Sequence, residues 1–551
     1  MKTTERVFVA ALAAALLALP VTLCALDDTS AAKPAAATDK TAEKPAEKPA
    51  PAEVTTQGEL NAGGQHIAYS AIAGTITVGA TDAQDAQLGM DGKPQADSQL
   101  ALAAPKEAKD ADATARMFYV AYFEKDAKAE DRPVTFFYNG GPGSSTVWLH
   151  MGSLGPKHVV TDTDTHMPAA PYKMVDNANS LLDVSDLVFI DMPGTGFGRL
   201  LGKEPEKAFW GIDEDANAFA RFIVRFTTKY NRWNSPKFIF GESYGTTRSA
   251  VLSDILENSK SMDINGVILL SQIFNFTTDI DFPMGNPGVD LPYVLALPTY
   301  AATAWYHKKL PTQPAALEPF LKEVEEFTNG PYAHALALGT DIGAEEKQAV
   351  AEKLHDYTGL PVSYVLKAGL RVSGGEFEKT LQDDQDTTTG RLDTRFSGPT
   401  LDPLSQFADY DPQSSAISSA YVSLFNDYVR RDLKYGEGQT YLPEAQFGIA
   451  QWDFKHRGNP VSVNVAPDLA EAMKTNPRLK VMVNGGYYDL ATPFFAAQYE
   501  EKHLPIPQSL AKNIEYDWYE SGHMVFVRDE SLKQLHDRVA AFITKTDKGG
   551  E

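Results

Sequence analysis

Residues 237–249, KFIFGESYGTTRS, set a serine between two glycines at the end of a short apolar run. Gly241-x-Ser243-x-Gly245 is the spacing of a sharp strand-to-helix turn that lifts a serine hydroxyl into the open, with glycines where side chains would not fit. A serine nucleophile needs a base to take its proton, and the base needs an acid to fix its tautomer. Reading back from the C-terminus, SGHMV puts His523 just after the strand-like run IEYDWYE, and NGGYYDLATP puts Asp489 just after KVMVN. Ser243, Asp489 and His523 therefore stand at the ends of apolar runs, in the order serine, acid, base. His150 and His158 are the rival bases. A tetrahedral intermediate also needs N–H donors for its oxyanion. Tyr244, next after the serine, offers one, and the glycine-rich stretch NGGPGSS at residues 139–145 is a loop able to offer another.

These side chains need a scaffold. Apolar, β-rich runs occur at HIAYSAIAGTITVG, ARMFYVAYFEKD, PVTFFYNGG, LLDVSDLVFIDMPG, KFIFGES and INGVILLSQI. Between them lie helical patterns such as GIDEDANAFARFIVRFTTKY, with Ala218, Phe222, Val224 and Phe226 on an apolar side. Strands alternating with helices predict an α/β protein with a mostly parallel central sheet. Residues 284–450 read as mainly helical, with loops at PTQP and DDQDTTTGRLDTRFSGP. The sheet pattern resumes at RLKVMVNGGYYD and NIEYDWYESGH, and a last amphipathic helix carries Leu532, Leu535, Val539, Phe542 and Ile543.

The 551 residues carry a formal net charge of -23, which excludes a general nucleic-acid binder needing a basic face. Lys2 and Arg6 precede an apolar run over residues 7–23, so residues 1–25 read as an export leader. No later stretch approaches a membrane span, and no transmembrane domain is expected. Cys24 is the only cysteine, which leaves the chain beyond it without an internal disulfide. A cysteine there also suits a lipid-modified first residue, although Leu23 before it is a poor fit. Residues 26–57, rich in Ala, Pro, Lys and Glu, read as a disordered linker. There is no P-loop and no HExxH pair; neither a metal nor an organic cofactor is expected.

In order along the chain, NGGPGSS, DMPGTGFG, GESYG, NGGYYD and SGHMV resemble the serine carboxypeptidases, the peptidase S10 family. The resemblance implies an α/β-hydrolase fold, with residues 58–283 and 451–551 as the catalytic domain and 284–450 as a cap. It implies a peptide substrate whose C-terminal residue is released through an acyl-enzyme. Gly141 and Tyr244 would be the oxyanion donors, and Asn139, Gly140 and Glu242 would bind the substrate's terminal carboxylate. An acid can hold an acid cheaply only if the two share a proton, so an acidic working pH is expected.

There are departures from the family pattern. Ser144 stands where the family commonly has cysteine, which is similar to its bacterial branch. GESYGTT differs from the usual GESYAG-like block, and GGYYDLATP is looser than its counterpart. The competing readings are an esterase, an acyltransferase or a proline-iminopeptidase-like aminopeptidase on the same fold, and a non-catalytic binding protein. Asn139 and the SGHMV block favour the carboxypeptidase over the aminopeptidase, and an esterase would have no use for Asn139 and Glu242 together. The complete set Ser243, Asp489 and His523 speaks against the last. The leader implies a periplasmic or extracellular protein.

Overall fold

Each of the β-rich runs named above for the sheet becomes a strand in the computed structural model, which describes residues 53–95, 111–458 and 463–547. The strands are β1 (Val54–Ala62), β2 (Gln65–Gly79), β3 (Thr114–Glu124), β4 (Val134–Tyr138), β5 (Lys157–Val160), β6 (Lys173–Asp176) and β7 (Asp186–Ile190). They continue with β8 (Arg199–Leu201), β9 (Lys237–Glu242), β10 (Gly266–Leu270), β11 (Thr387–Thr389), β12 (Ser397–Pro399), β13 (Lys480–Gly486) and β14 (Ile514–Tyr519). The main sheet runs β1-β2-β3-β7-β4-β9-β10-β13-β14, with β8 beside β3. From β7 to β14 all neighbours are parallel, whereas β1, β2 and β3 are antiparallel.

The inner parallel strands β7, β4, β9, β10 and β13 are buried almost throughout, which is why they read as largely apolar runs. β14, at the sheet edge, is mostly half-buried. On β9, Phe238 and Phe240 face the final helix, Asp529–Asp547, in a cluster with Leu535, Val539 and Phe542. Ile239 points the other way, into a cluster with Phe219, Phe222 and Phe226 of the helix Ile212–Lys229. That helix departs from its sequence reading at one position. Val224 is only half-buried, while Arg221 and Arg225 are buried. Arg221 Nε donates to Asp82 Oδ1 at 2.8 Å, and Arg225 Nε reaches both oxygens of Asp85 at 3.0 Å. Ion pairing lets the arginines occupy a face that periodicity assigns to apolar side chains.

After β4 the chain adds β7 on one side and then returns to add β9 on the other. Such a reversal leaves a crevice at the carboxyl ends of the strands, where an open α/β sheet binds its ligands. The loop after β4 and the turn after β9 flank that crevice, and they contain Asn139 and Ser243.

The leader, Cys24 and the linker up to residue 52 lie outside the described residues. β1 begins at Val54, within the span that composition assigns to the linker. Its residues alternate between exposed and sheltered and pair antiparallel with β2, so half of the strand carries the polar residues of a solvated face. Between β10 and β13, helices such as Leu291–Tyr306, Leu317–Phe327 and Ala344–Thr358 share a core of their own that includes Leu295, Ala301, Val324 and Leu354. The helix Pro412–Arg431 behaves differently: Ile417, Ala420, Tyr421 and Phe425 join the cluster under the main sheet.

Candidate active site

β9 ends at Glu242, and the helix Tyr244–Asp254 starts one residue past the serine. Ser243 itself has φ 60° and ψ −131°, a conformation that costs a non-glycine residue roughly 1–3 kcal/mol and is held by the turn around it. A Cβ on Gly241 would overlap Gly245 O, and one on Gly140 would overlap Tyr244 N. The first glycine permits the elbow. The second lets the loop after β4 lie directly on it. Among the described residues, neither the N–H of Gly141 nor that of Tyr244 meets an acceptor.

Asn139, at the end of β4, crosses to the acid before the serine. Its Nδ2 donates to Glu242 Oε2 at 2.7 Å, while its Oδ1 accepts from Leu149 N at 3.0 Å. Both residues are buried. Burial pushes the Glu242 carboxyl up to about 7; the nearby His523 and the Asn139 hydrogen bond pull it down, and the charge of Asp489 pushes it up further. Behind the pair, Arg248 Nη1 donates to Asn139 O at 2.7 Å, and its Nε pairs with Asp215 Oδ2 at 2.6 Å, both side chains fully enclosed. The guanidinium lies 4.2 Å from the centre of the Phe219 ring.

On the other side, Asp489 follows β13 and His523 follows β14. His523 Nδ1 is 2.8 Å from Asp489 Oδ2. Thr492 braces the acid twice: its N donates to Asp489 Oδ1 at 2.9 Å and its hydroxyl to Oδ2 at 2.7 Å. Burial pulls the His523 pKa down, but the contact and charge of Asp489, with Glu242 beyond, outweigh this and hold it above the ordinary histidine value; Arg391 opposes them. The rival histidines are committed elsewhere. His150 Nε2 is 2.7 Å from Tyr122 Oη, its ring stacks on Phe189, and burial lowers its pKa to about 3. His158 Nδ1 is 2.9 Å from Gly152 O.

The two sides meet at the end of β10. Ser243 N donates to Leu270 O at 3.0 Å, and the next residue, Ser271, donates from its hydroxyl to His523 O at 2.7 Å. Among the described residues, Ser243 Oγ makes no hydrogen bond to the imidazole, a looseness that by itself excludes no nucleophile–base pair in a site without substrate. All the candidates are thus gathered at the strand ends. Sequence reasoning missed Arg248, Asp215 and Thr492. Arg248 and Thr492 fall inside or beside quoted motifs, whereas Asp215 lies in a different helix with no local pattern to mark it.

A profile described as serine carboxypeptidase matches residues 108–536. The chain belongs to the serine carboxypeptidase family. A serine carboxypeptidase-like protein of Oryza sativa subsp. japonica is 28% identical over 152 residues, covering 27% of this chain and 33% of that one. A pheromone-processing carboxypeptidase KEX1 of Verticillium alfalfae is 28% identical over 154 residues, covering 27% of this chain and 22% of that one. The chain thus spans a third or less of the length of these curated relatives. Among solved structures, a proline iminopeptidase of Mycobacterium smegmatis covers 79% of this chain and 97% of its own, at 13% identity and a TM-score of 0.33. The α/β-hydrolase fold expected of the family is the fold observed, with its mostly parallel sheet and the strand order above. Among the described residues, no helix is long and apolar enough to cross a membrane.

Proposed function

We propose that this family member is an exported serine carboxypeptidase that removes C-terminal residues from peptides. The observation that carries the reading is the buried Asn139–Glu242 pair set against the serine turn. An amide and a carboxyl able to keep its proton are suited to a substrate's terminal carboxylate, which an ionised glutamate would repel. The N–H of Gly140 adds a donor to the same group.

Ser243 Oγ attacks the scissile carbonyl carbon while His523 takes its proton, and Asp489 fixes the imidazole tautomer and faces its positive charge. The N–H groups of Gly141 and Tyr244 hold the oxyanion. Collapse breaks the C–N bond: His523 returns the proton to the leaving amine, and the peptide's acyl group stays on Ser243. A water then repeats the sequence and frees the serine. The helices between β10 and β13 cap the site and shape its side-chain pockets, and the leader at residues 1–25 directs the protein out of the cytoplasm.

The test is release of the C-terminal residue from an N-blocked dipeptide and from its C-terminal amide, between about pH 4 and pH 8. Loss of the nucleophile in Ser243→Ala is expected to lower kcat by about 10⁴-fold or more. The free acid should be preferred, most strongly at low pH. Equal cleavage of the amide would leave a serine hydrolase and discard carboxylate recognition.

A further inference from the structure

The helical insertion reaches the acid and the base through one short segment. β11 and β12 pair as a small antiparallel ribbon, and residues 390–396, GRLDTRF, form its tip. On one side the tip holds the residues that flank Asp489: Leu490 N donates to Arg391 O at 3.1 Å, and Thr394 N donates to Tyr488 O at 2.9 Å. On the other side His523 N donates to Leu392 O at 2.7 Å, and Gly522 N donates to Asp393 Oδ2 at 3.1 Å. Gly522 lies so close that a Cβ there would overlap the Asp393 side chain.

Asp393 is kept in place by Arg395. Arg395 Nε meets Asp393 Oδ1 at 3.0 Å and Nη2 meets Oδ2 at 2.6 Å, a two-pronged pair almost wholly removed from solvent. The same Nη2 donates to Ser521 Oγ at 3.1 Å. One ion pair thus grips Ser521 and Gly522, the two residues before the histidine. The tip is anchored in turn to the insertion: the hydroxyls of Thr394 and Thr303 are 2.6 Å apart, and Arg391 is clamped by both oxygens of Asp281.

We propose that Asp393 and Arg395 are positioning residues for the catalytic acid and base. They fix the turn at residues 521–523 so that His523 presents Nδ1 to Asp489 and its other nitrogen towards Ser243. The inference rests on the reading of His523 as the base. A buried, fully paired guanidinium–carboxylate fork is a stiff element, since neither partner can leave without stranding the other's charge. The insertion therefore completes the triad's geometry as well as covering the site, and docking of the ribbon tip is a condition for the aligned imidazole.

The substitutions are Asp393→Asn and Arg395→Lys, with enzyme concentrations set by active-site titration and turnover of an N-blocked dipeptide followed across pH. An angstrom-scale misplacement of a catalytic group costs up to about a hundredfold. Asp393→Asn should lower kcat by roughly tenfold to a hundredfold with KM changed less than about threefold. It should also displace the limb of the pH profile governed by His523, whose charged neighbours are Asp489, Glu242 and Arg391. Arg395→Lys keeps the charge but loses the fork, and should recover part of that kcat. A brace of the fold alone would lower thermal stability while leaving kcat per titrated site and the pH profile at wild-type values; that result overturns the proposal. A His523→Ala protein run alongside separates the two readings. If it retains full activity, the base assignment falls. If it is inactive while Asp393→Asn turns over and titrates like the wild type, the bracket alone falls.

Discussion

Asp489 and Glu242 are both enclosed acids within one site, yet they are furnished differently. Asp489 receives Thr492 N, the Thr492 hydroxyl and the His523 imidazole. Among the described residues Glu242 receives one donor, the neutral amide of Asn139, and no guanidinium or ammonium touches it. At Glu242 burial outweighs the nearby His523 and the Asn139 hydrogen bond, and its carboxyl is pushed up to about 7. On the proposed reading, Asp489 orients the base and Glu242 keeps a proton on the substrate's side. The two acids differ visibly in their hydrogen-bond donors, three at Asp489 against one at Glu242 among the described residues.

Asp489→Asn is the largest expected break in this contrast. The amide preserves shape but turns an N–H towards His523 Nδ1, which favours the wrong tautomer. A fall in kcat of about 10⁴-fold is expected on peptide and ester substrates alike. Steady-state turnover of both substrate types checks it. A loss confined to peptides would place Asp489 with substrate recognition instead.

Glu242→Gln sharpens the contrast through pH. With its carboxyl pushed up to about 7, Glu242 on the proposed reading ionises above that value and then repels a substrate carboxylate. Activity on free-acid peptides should therefore decline on the alkaline side, by roughly tenfold per pH unit above the Glu242 value. His523 must be neutral to accept a proton, and its pKa is raised, so activity should also decline on the acid side. Each group's charge acts on the other, and on the proposed mechanism the productive form has Glu242 protonated and His523 neutral. An amide at position 242 cannot ionise. Glu242→Gln should lose the alkaline decline for free-acid peptides and leave ester hydrolysis nearly unchanged. An unaltered alkaline limb would mean that another group controls it.

The two sides of the site also differed in how far the chain announced them. Ser243 and Asp489 follow strands buried almost throughout, whose largely apolar runs mark where a strand-end loop begins. His523 follows the half-buried edge strand β14, whose aromatic residues mark it. Glu242 and Asn139 lie inside glycine-flanked motifs that the backbone crossing requires, as the overlap expected at Gly140 demonstrates. The supports carry no such mark. Arg248 and Asp215 come from separate helices and are recognisable only once those helices pack. GRLDTRF reads as a solvated loop because three of its seven residues are charged, yet Asp393 and Arg395 are buried by pairing with each other. β1 was hidden for the opposite reason, since its outward residues give it the polarity of a tether.

Thr492 tests the finest part of the comparison, whether the extra donors on Asp489 matter once the histidine is in place. Its hydroxyl donates to Asp489 Oδ2 and lies 3.2 Å from His523 Nδ1, so it sits at the joint between acid and base. Thr492→Val keeps the branched shape and the backbone donor to Oδ1 but deletes this one hydroxyl. A hydrogen bond to a charged group contributes about 1.5–3 kcal/mol. Asp489 keeps two other donors, so the expected loss lies at the low end, near a tenfold fall in kcat with KM unchanged. The counterpart substitution Thr492→Ser, which restores the hydroxyl, should recover most of that activity. If Thr492→Val turns over like the wild type, the imidazole and one backbone N–H suffice to hold the acid, and the contrast with Glu242 reduces to the charge of the histidine alone.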